Sequence, residues 1–128
     1  MKVLLVNGSP HKEGCTYTAL SEVAKALNQD GLMAEIFWIG NKPIGGCIAC
    51  RKCAEIGKCV FEDVVNTFRH KAYEADGFIF GTPVHYASAS GNMTAFMDRL
   101  FYSGPSVPGR KSKSSSGMIK GLLQGKIT

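Results

Sequence analysis

Apolar residues follow two rhythms along this chain, and the rhythms alternate. Lys2 to Val6 is a short, nearly unbroken apolar run, the signature of a strand buried on both faces. Residues 16–29 then space Leu20, Val23, Ala24 and Leu27 as one helical stripe, stopped by Gly31. Met33 to Ile39 is a second strand, carrying Ile36, Phe37, Trp38 and Ile39. From Phe61 to Ala75 the helical period returns at Phe61, Val64, Val65, Phe68 and Ala72. Glu62 and Asp63 stand at its start and Arg69, His70 and Lys71 near its end, charges matched to a helix dipole. Gly77-Phe78-Ile79-Phe80-Gly81 is a third strand, and Met93, Phe96, Met97, Leu100 and Phe101 mark a third amphipathic helix after Ser90-Gly91. Asp98 and Arg99 within it read as a helix-end charge pair. The order β-α-β-α-β-α implies an α/β fold, a parallel sheet with right-handed crossovers and helices on both faces. In such sheets a ligand sits beyond the carboxyl ends of the strands.

With 128 residues, 45% hydrophobic and 20% charged, the chain has the composition of one globular domain, and no apolar run approaches the roughly 18 residues that span a bilayer. The start, Met1 to Val6, lacks a secretory signal pattern, so a cytoplasmic protein with no membrane partner is expected. The net charge of +5 suggests nucleic acid only until it is mapped. Residues 1–102 carry ten Lys+Arg and ten Asp+Glu, and the excess lies in Arg110, Lys111, Lys113, Lys120 and Lys126. Residues 1–102 therefore form the expected domain, and 103–128 a basic Ser/Gly-rich solvated tail, with no nucleic-acid partner expected.

Two loops at one sheet edge carry candidate chemistry. The loop after the first strand, Asn7-Gly8-Ser9-Pro10-His11-Lys12-Glu13-Gly14-Cys15-Thr16, leads into a helix, and backbone N–H groups in such a turn favour an anion. Neither a Gly-Lys-Ser/Thr ending nor a G-x-G-x-x-G spacing is present, so a terminal monophosphate fits better than a triphosphate or a dinucleotide bridge. Ser9 and Thr16 can donate hydroxyl hydrogen bonds, Thr16 being placed to cap the helix, and Lys12 or His11 can add charge; an ordinary turn is the alternative. The loop after the third strand, Thr82-Pro83-Val84-His85-Tyr86-Ala87-Ser88-Ala89-Ser90-Gly91, offers the flat aromatic, imidazole and backbone amides wanted around a planar heteroaromatic ring. Alternatively His85 is a plain loop histidine and Tyr86 a lid over the core.

Cys47, Cys50, Cys53 and Cys59 form C-x2-C-x2-C-x5-C in a loop opened by Pro43, Gly45 and Gly46. Three thiolates two residues apart can converge on one corner of a cubane cluster, with a fourth to close it. A four-cysteine zinc site and free thiols are the competing readings. Cys15 stands apart from this group, as a buried or loop thiol.

Together these segments resemble the flavodoxin-like NAD(P)H-dependent FMN reductases and, within them, the iron-sulfur flavoproteins. The matching pieces are Val6 to Pro10 with Gly14-Cys15-Thr16, the segment from Gly46 to Cys59, Ala75 to Val84, and Ala95-Phe96-Met97-Asp98-Arg99. The resemblance implies a flavodoxin-like doubly wound sheet, apparently truncated to about three to four strands in the order 2-1-3-4, with Gly125 to Thr128 at the start of a fourth strand. It implies FMN, its phosphate in the loop with Ser9, His11, Cys15 and Thr16 and its isoalloxazine ring against Pro83, Val84, His85 and Tyr86. It also implies a [4Fe-4S] cluster on Cys47, Cys50, Cys53 and Cys59, and NAD(P)H as co-substrate. His11 and Cys15 stand where the family often has Arg and Asn. No protein nucleophile is expected, since the flavin does the chemistry. The expected function is an FMN-dependent oxidoreductase passing two electrons from NAD(P)H or a reduced carrier to a quinone, flavin or similar acceptor. Its partner would be a small molecule or a redox carrier protein, and the protein a homo-oligomer. A non-catalytic flavin/iron-sulfur electron-transfer module and a remnant without flavin are the alternatives.

Overall fold

The computed structural model describes residues 1–102. Three parallel strands, β1 (Lys2–Asn7), β2 (Met33–Trp38) and β3 (Gly77–Gly81), form a sheet in the order β2-β1-β3. Leu4 lies opposite Glu35 on one side and Phe78 on the other. The expected 2-1-3 order is thus met, while the expected fourth strand and the basic tail fall outside the described residues. As the central strand, β1 buries Leu4, Leu5 and Val6 completely, which is why its sequence is apolar without alternation. One face of the sheet is covered by α1 (Cys15–Gln29), which packs across all three strands. The other is covered by α3 (Val64–Glu74) and α4 (Gly91–Tyr102); between β2 and α3 lies a four-residue helix, α2 (Cys53–Ile56).

The core follows from those faces. Leu4 and Val6 pack with Val65, Phe68, Ala72, Met93, Phe96 and Leu100. The Phe68 ring meets Phe37 and Phe96 edge-on, at centroid distances of 5.0 and 5.2 Å, an arrangement worth about 0.5–1.5 kcal/mol per pair beyond area burial. α3 begins later than its apolar pattern suggests. Asp63 is its N-cap, its carboxylate accepting from the Val65 N–H at 3.1 Å, so Phe61 precedes the helix and is exposed. A carboxylate there satisfies an otherwise orphaned amide and ends the competition in favour of the later start.

The loop after β3 contains a small hairpin that hydrophobic patterning does not reveal, β4 (Val84–His85) paired antiparallel with β5 (Ser88–Ala89). Its two turn residues, Tyr86 and Ala87, both have positive φ, 51° and 57°. That is the combination a two-residue hairpin turn requires and that Asn-Gly usually supplies. Among the described residues no helix is long and apolar enough to cross a membrane.

Candidate functional site

The two loops expected to carry chemistry are tied together by backbone. The Gly8 N–H donates to the Gly81 carbonyl at 2.8 Å, extending the β1–β3 ladder into the loops. The Ser90 hydroxyl and N–H contact Gly8 O and Thr82 Oγ1 at 3.5 and 3.0 Å. Close approach is possible because Gly8 and Gly81 lack side chains. A Cβ on Gly81 would meet Leu20 Cδ1 at 2.9 Å and Thr16 Cγ2 at 3.0 Å, and one on Gly8 would collide with Met93.

Within the first loop the organiser is a residue that motif reading passed over. Asn7 is fully buried; its Oδ1 accepts from the Ser9 N–H at 3.0 Å and its Nδ2 donates to the Lys12 carbonyl at 3.1 Å. Its signal in the sequence is an Asn directly ahead of Gly-Ser at a strand end, the composition of a side-chain-closed turn. Ser9, also buried, accepts from the His11 N–H at 3.1 Å, leaving its own hydroxyl hydrogen to donate. Thr16 does not cap α1 as expected. Gly14 occupies the N-cap, with no side-chain cap hydrogen bond, and the first intrahelical bond runs from Thr18 N to Gly14 O. The N–H groups of Cys15, Thr16 and Tyr17 are therefore without intrahelical acceptors at the positive end of a 15-residue helix. Cys15 is neither buried nor in a loop: it is the exposed first residue of α1. Among the described residues, three first-turn amides and the Ser9 hydroxyl make a donor set lacking an acceptor, which fits a terminal phosphate.

In the second loop Val84, His85 and Tyr86 are exposed, and Tyr86 projects completely into solvent rather than lying over the core. Pro83 is half-buried and its carbonyl accepts from the Thr82 hydroxyl at 2.9 Å. On the other side of the first loop an open cavity of about 650 Å³ is lined by residues 10–14 with Trp38 and Asn41. The Trp38 indole N–H donates to Ser9 O at 2.9 Å, and the Lys12 ammonium lies 5.9 Å from the centre of its ring.

The cysteine segment is anchored at both ends and open in the middle. Asp98 Oδ2 accepts from the Cys47 N–H at 3.0 Å. Arg99, 1% exposed, donates through Nη2 to Asp63 Oδ1 at 2.8 Å and to Phe61 O at 3.1 Å, and through Nε to Cys59 Sγ at 3.3 Å. Burial works against the guanidinium's charge, but the hydrogen bonds to Asp63 and Cys59 outweigh it and hold Arg99 above its ordinary value. Asp98 and Arg99 stand near the end of α4, Arg99 in its last turn, and they also fasten the segment to that helix. Cys50 is exposed between Ala49 and Arg51, both in left-handed backbone, with φ of 55° and 62°. Among the described residues no three His, Cys, Asp or Glu side chains come together as a metal-binding group. As arranged, then, Cys47, Cys50, Cys53 and Cys59 do not fit a cluster: sequence spacing brought four thiols into thirteen residues without aiming them at one point.

A family model described as NADPH-dependent FMN reductase matches residues 1–121. The chain is 37% identical over 99 residues to an iron-sulfur flavoprotein of Methanocaldococcus jannaschii, covering 77% of this chain and 51% of that one. It is 31% identical over 112 residues to an iron-sulfur flavoprotein of Archaeoglobus fulgidus, covering 86% and 51%. The chain thus spans about half the length of these curated relatives. Among solved structures, an apo NADH:FMN oxidoreductase superposes with a TM-score of 0.53 at 17% identity, over 98% of this chain and 67% of that one, which establishes a shared fold. The tied strand-end loops, the orphan amides of α1 and the match across residues 1–121 lead to one assignment: this chain belongs to the NADPH-dependent FMN reductase family.

Proposed function

We propose that this chain forms the FMN-binding part of a cytoplasmic oxidoreductase that takes two electrons from NAD(P)H or a reduced carrier and passes them to a quinone, flavin or similar acceptor. The observation that carries this reading is the donor set at the start of α1, held beside the β4–β5 hairpin by the Gly8–Gly81 hydrogen bond. Ser9 and Thr16 hold the phosphate with the first-turn amides, and His11 and Cys15 border it. Pro83, Val84, His85 and Tyr86 carry the isoalloxazine ring. FMN would supply the hydride-accepting chemistry, and the chain's own residues would position it and keep water from the reacting face. Val84 and Tyr86, solvent-exposed in the described residues, supply the apolar surface for that exclusion. The working unit in this reading is a homo-oligomer.

FMN and riboflavin titrations, followed by flavin fluorescence, test the site. Thr16→Ala removes a hydrogen bond to a charged group and is expected to weaken FMN about ten-fold to a hundred-fold. Equal affinity for riboflavin, which has no phosphate, would defeat the assignment. NADPH oxidation in the presence of FMN and a quinone then separates an enzyme from a carrier.

A second reading, an electron-transfer module with a [4Fe-4S] cluster on Cys47, Cys50, Cys53 and Cys59, is favoured by the C-x2-C-x2-C-x5-C spacing and by the names of the relatives. The arrangement of the thiols among the described residues does not support it. Iron and acid-labile sulfide analysis of anaerobically purified protein decides: neither element present leaves the flavin alone as the redox group.

A further inference from the structure

We propose that Trp38 is a positioning residue for the phosphate seat: its indole N–H fixes Ser9 and its ring gathers Lys12, so that the loop after β1 is shaped for a phosphate before one arrives. This deepens the flavin reading above and rests on it. Trp38 is not part of the donor set; it acts through the two loop residues it holds.

The bonds of the loop lead to this assignment. Inside the loop the His11 N–H donates to Ser9 Oγ at 3.1 Å; its other ties come from strand ends. Gly8 is held by Gly81 at the end of β3. Asn7, at the end of β1, takes the Ser9 N–H through Oδ1 and the Lys12 carbonyl through Nδ2. The Ser9 carbonyl goes to β2, where Trp38 Nε1 donates to it at 2.9 Å. Asn7 and Trp38 are register partners, so adjacent strand ends grip the two backbone polar groups of Ser9, one each. Ser9 is buried, and with its N–H, its carbonyl and an Oγ lone pair engaged, the hydroxyl hydrogen is what it has left to offer a ligand. A donor on so fixed a backbone is aimed without an ordering cost at the moment of binding.

The ring face does the second part. The Lys12 ammonium is exposed and lies 5.9 Å from the ring centre, within range of attraction by the indole quadrupole. That contact keeps a positive charge over the loop rather than out in solvent, and a charge held there favours a phosphate over a neutral hydroxyl. Trp38 itself stays half-buried at the strand end, where its position does not depend on the ligand. A flavin that carries a phosphate profits from both contacts, and a flavin without one profits from neither.

Because Trp38 is the only tryptophan, biosynthetic replacement of tryptophan by benzothienyl-alanine alters this one side chain, exchanging the indole N–H for sulfur at nearly the same shape. The full 128-residue chain in that form, and as Trp38→Phe, is titrated with FMN and with riboflavin. Loss of the N–H should weaken FMN about three- to ten-fold and leave riboflavin within about two-fold. Trp38→Leu, which removes the ring face as well, should lose still more of the preference for FMN. In a Ser9→Ala background, loss of the N–H should cost nothing further, because its effect passes through the Ser9 hydroxyl. If Trp38→Phe fails to fold, the isosteric analogue still gives the answer. Equal weakening of FMN and riboflavin overturns the inference and reduces Trp38 to support of the fold; unchanged FMN affinity, or full additivity with Ser9→Ala, overturns it too. A parent chain that binds FMN and riboflavin equally removes the phosphate reading and this inference with it. A parent that prefers FMN, with the preference intact after loss of the N–H, removes this inference alone.

Discussion

The Nε of Arg99 lies 3.3 Å from the Sγ of Cys59, forty residues earlier in the chain. The same guanidinium reaches Gly45 O at 3.3 Å and Phe61 O at 3.1 Å, so one buried side chain ties both ends of the cysteine segment to α4. Asp98, its neighbour, holds the Cys47 amide. The segment is fastened by carbonyl, carboxylate and sulfur contacts, and its Cys50 stays exposed.

Arg99→Ala should therefore cost more than a surface change. It leaves the Asp63 carboxylate, 32% exposed, without its partner, along with two carbonyls, and a loss of about 3 kcal/mol is expected for breaking such a pair. Urea denaturation measures it, and proteolytic cleavage between residues 45 and 59 should quicken. Arg99→Lys should restore only part, since an ammonium cannot fork between Asp63 and the carbonyls.

Gly81→Ala should reach the flavin site from a distance. The new Cβ would press on Leu20 and Thr16 at 2.9–3.0 Å, pushing the first turn of α1 off the sheet. Overpacking of this kind costs about 1–3 kcal/mol. A lower denaturation midpoint accompanied by weaker FMN binding is the expected result; a lower midpoint with FMN affinity unchanged would show that the start of α1 does not hold the phosphate.

Replacing Ala87 by glycine should stabilise the chain. Ala87 is exposed and sits at φ 57°, so no packing is lost and left-handed strain is relieved. A gain of about 1 kcal/mol is expected, and a thermal melt of the variant against the parent reads it.

Stability should also fall in acid through Glu35. This carboxylate lies between Lys71 and Lys2, and the hydrogen bond from Lys71, with help from Lys2 and against burial, holds it below its ordinary value of 4.5. A carboxyl lowered in the native state stabilises the fold above its unfolded value and loses that contribution as pH falls through the native one. Glu35 and Lys71 are more than a third exposed, so the contribution is discounted to about 0.2–1 kcal/mol. The stability difference between parent and Glu35→Gln should be present at pH 7 and vanish as pH falls below the carboxylate range; a difference that persisted in acid would assign it to something other than charge.

Periodicity alone determined the α/β alternation, the three strands and most of the buried helix faces, with Val23 and Phe61 exposed against the pattern, because burial on one or both sides of an element is written into every second or every third and fourth residue. It also located both strand-end loops, since a parallel sheet brings the ends of β1 and β3 to one edge wherever the rest of the chain goes. Tertiary structure decided what no local pattern holds. Thr16 and Asp63 are both polar residues near a helix start, yet only Asp63 became a cap, because the chain enters α1 two residues before Thr16, at Gly14. Arg99 reads in the sequence as half of a helix-end charge pair; that it is also buried was decided by Asp63 and the carbonyls that compensate it, which come from residues 36 or more positions away. The four cysteines are close in sequence and not convergent in space: spacing limits how far apart thiols can be, whereas their direction depends on backbone angles set by the helices that anchor the segment.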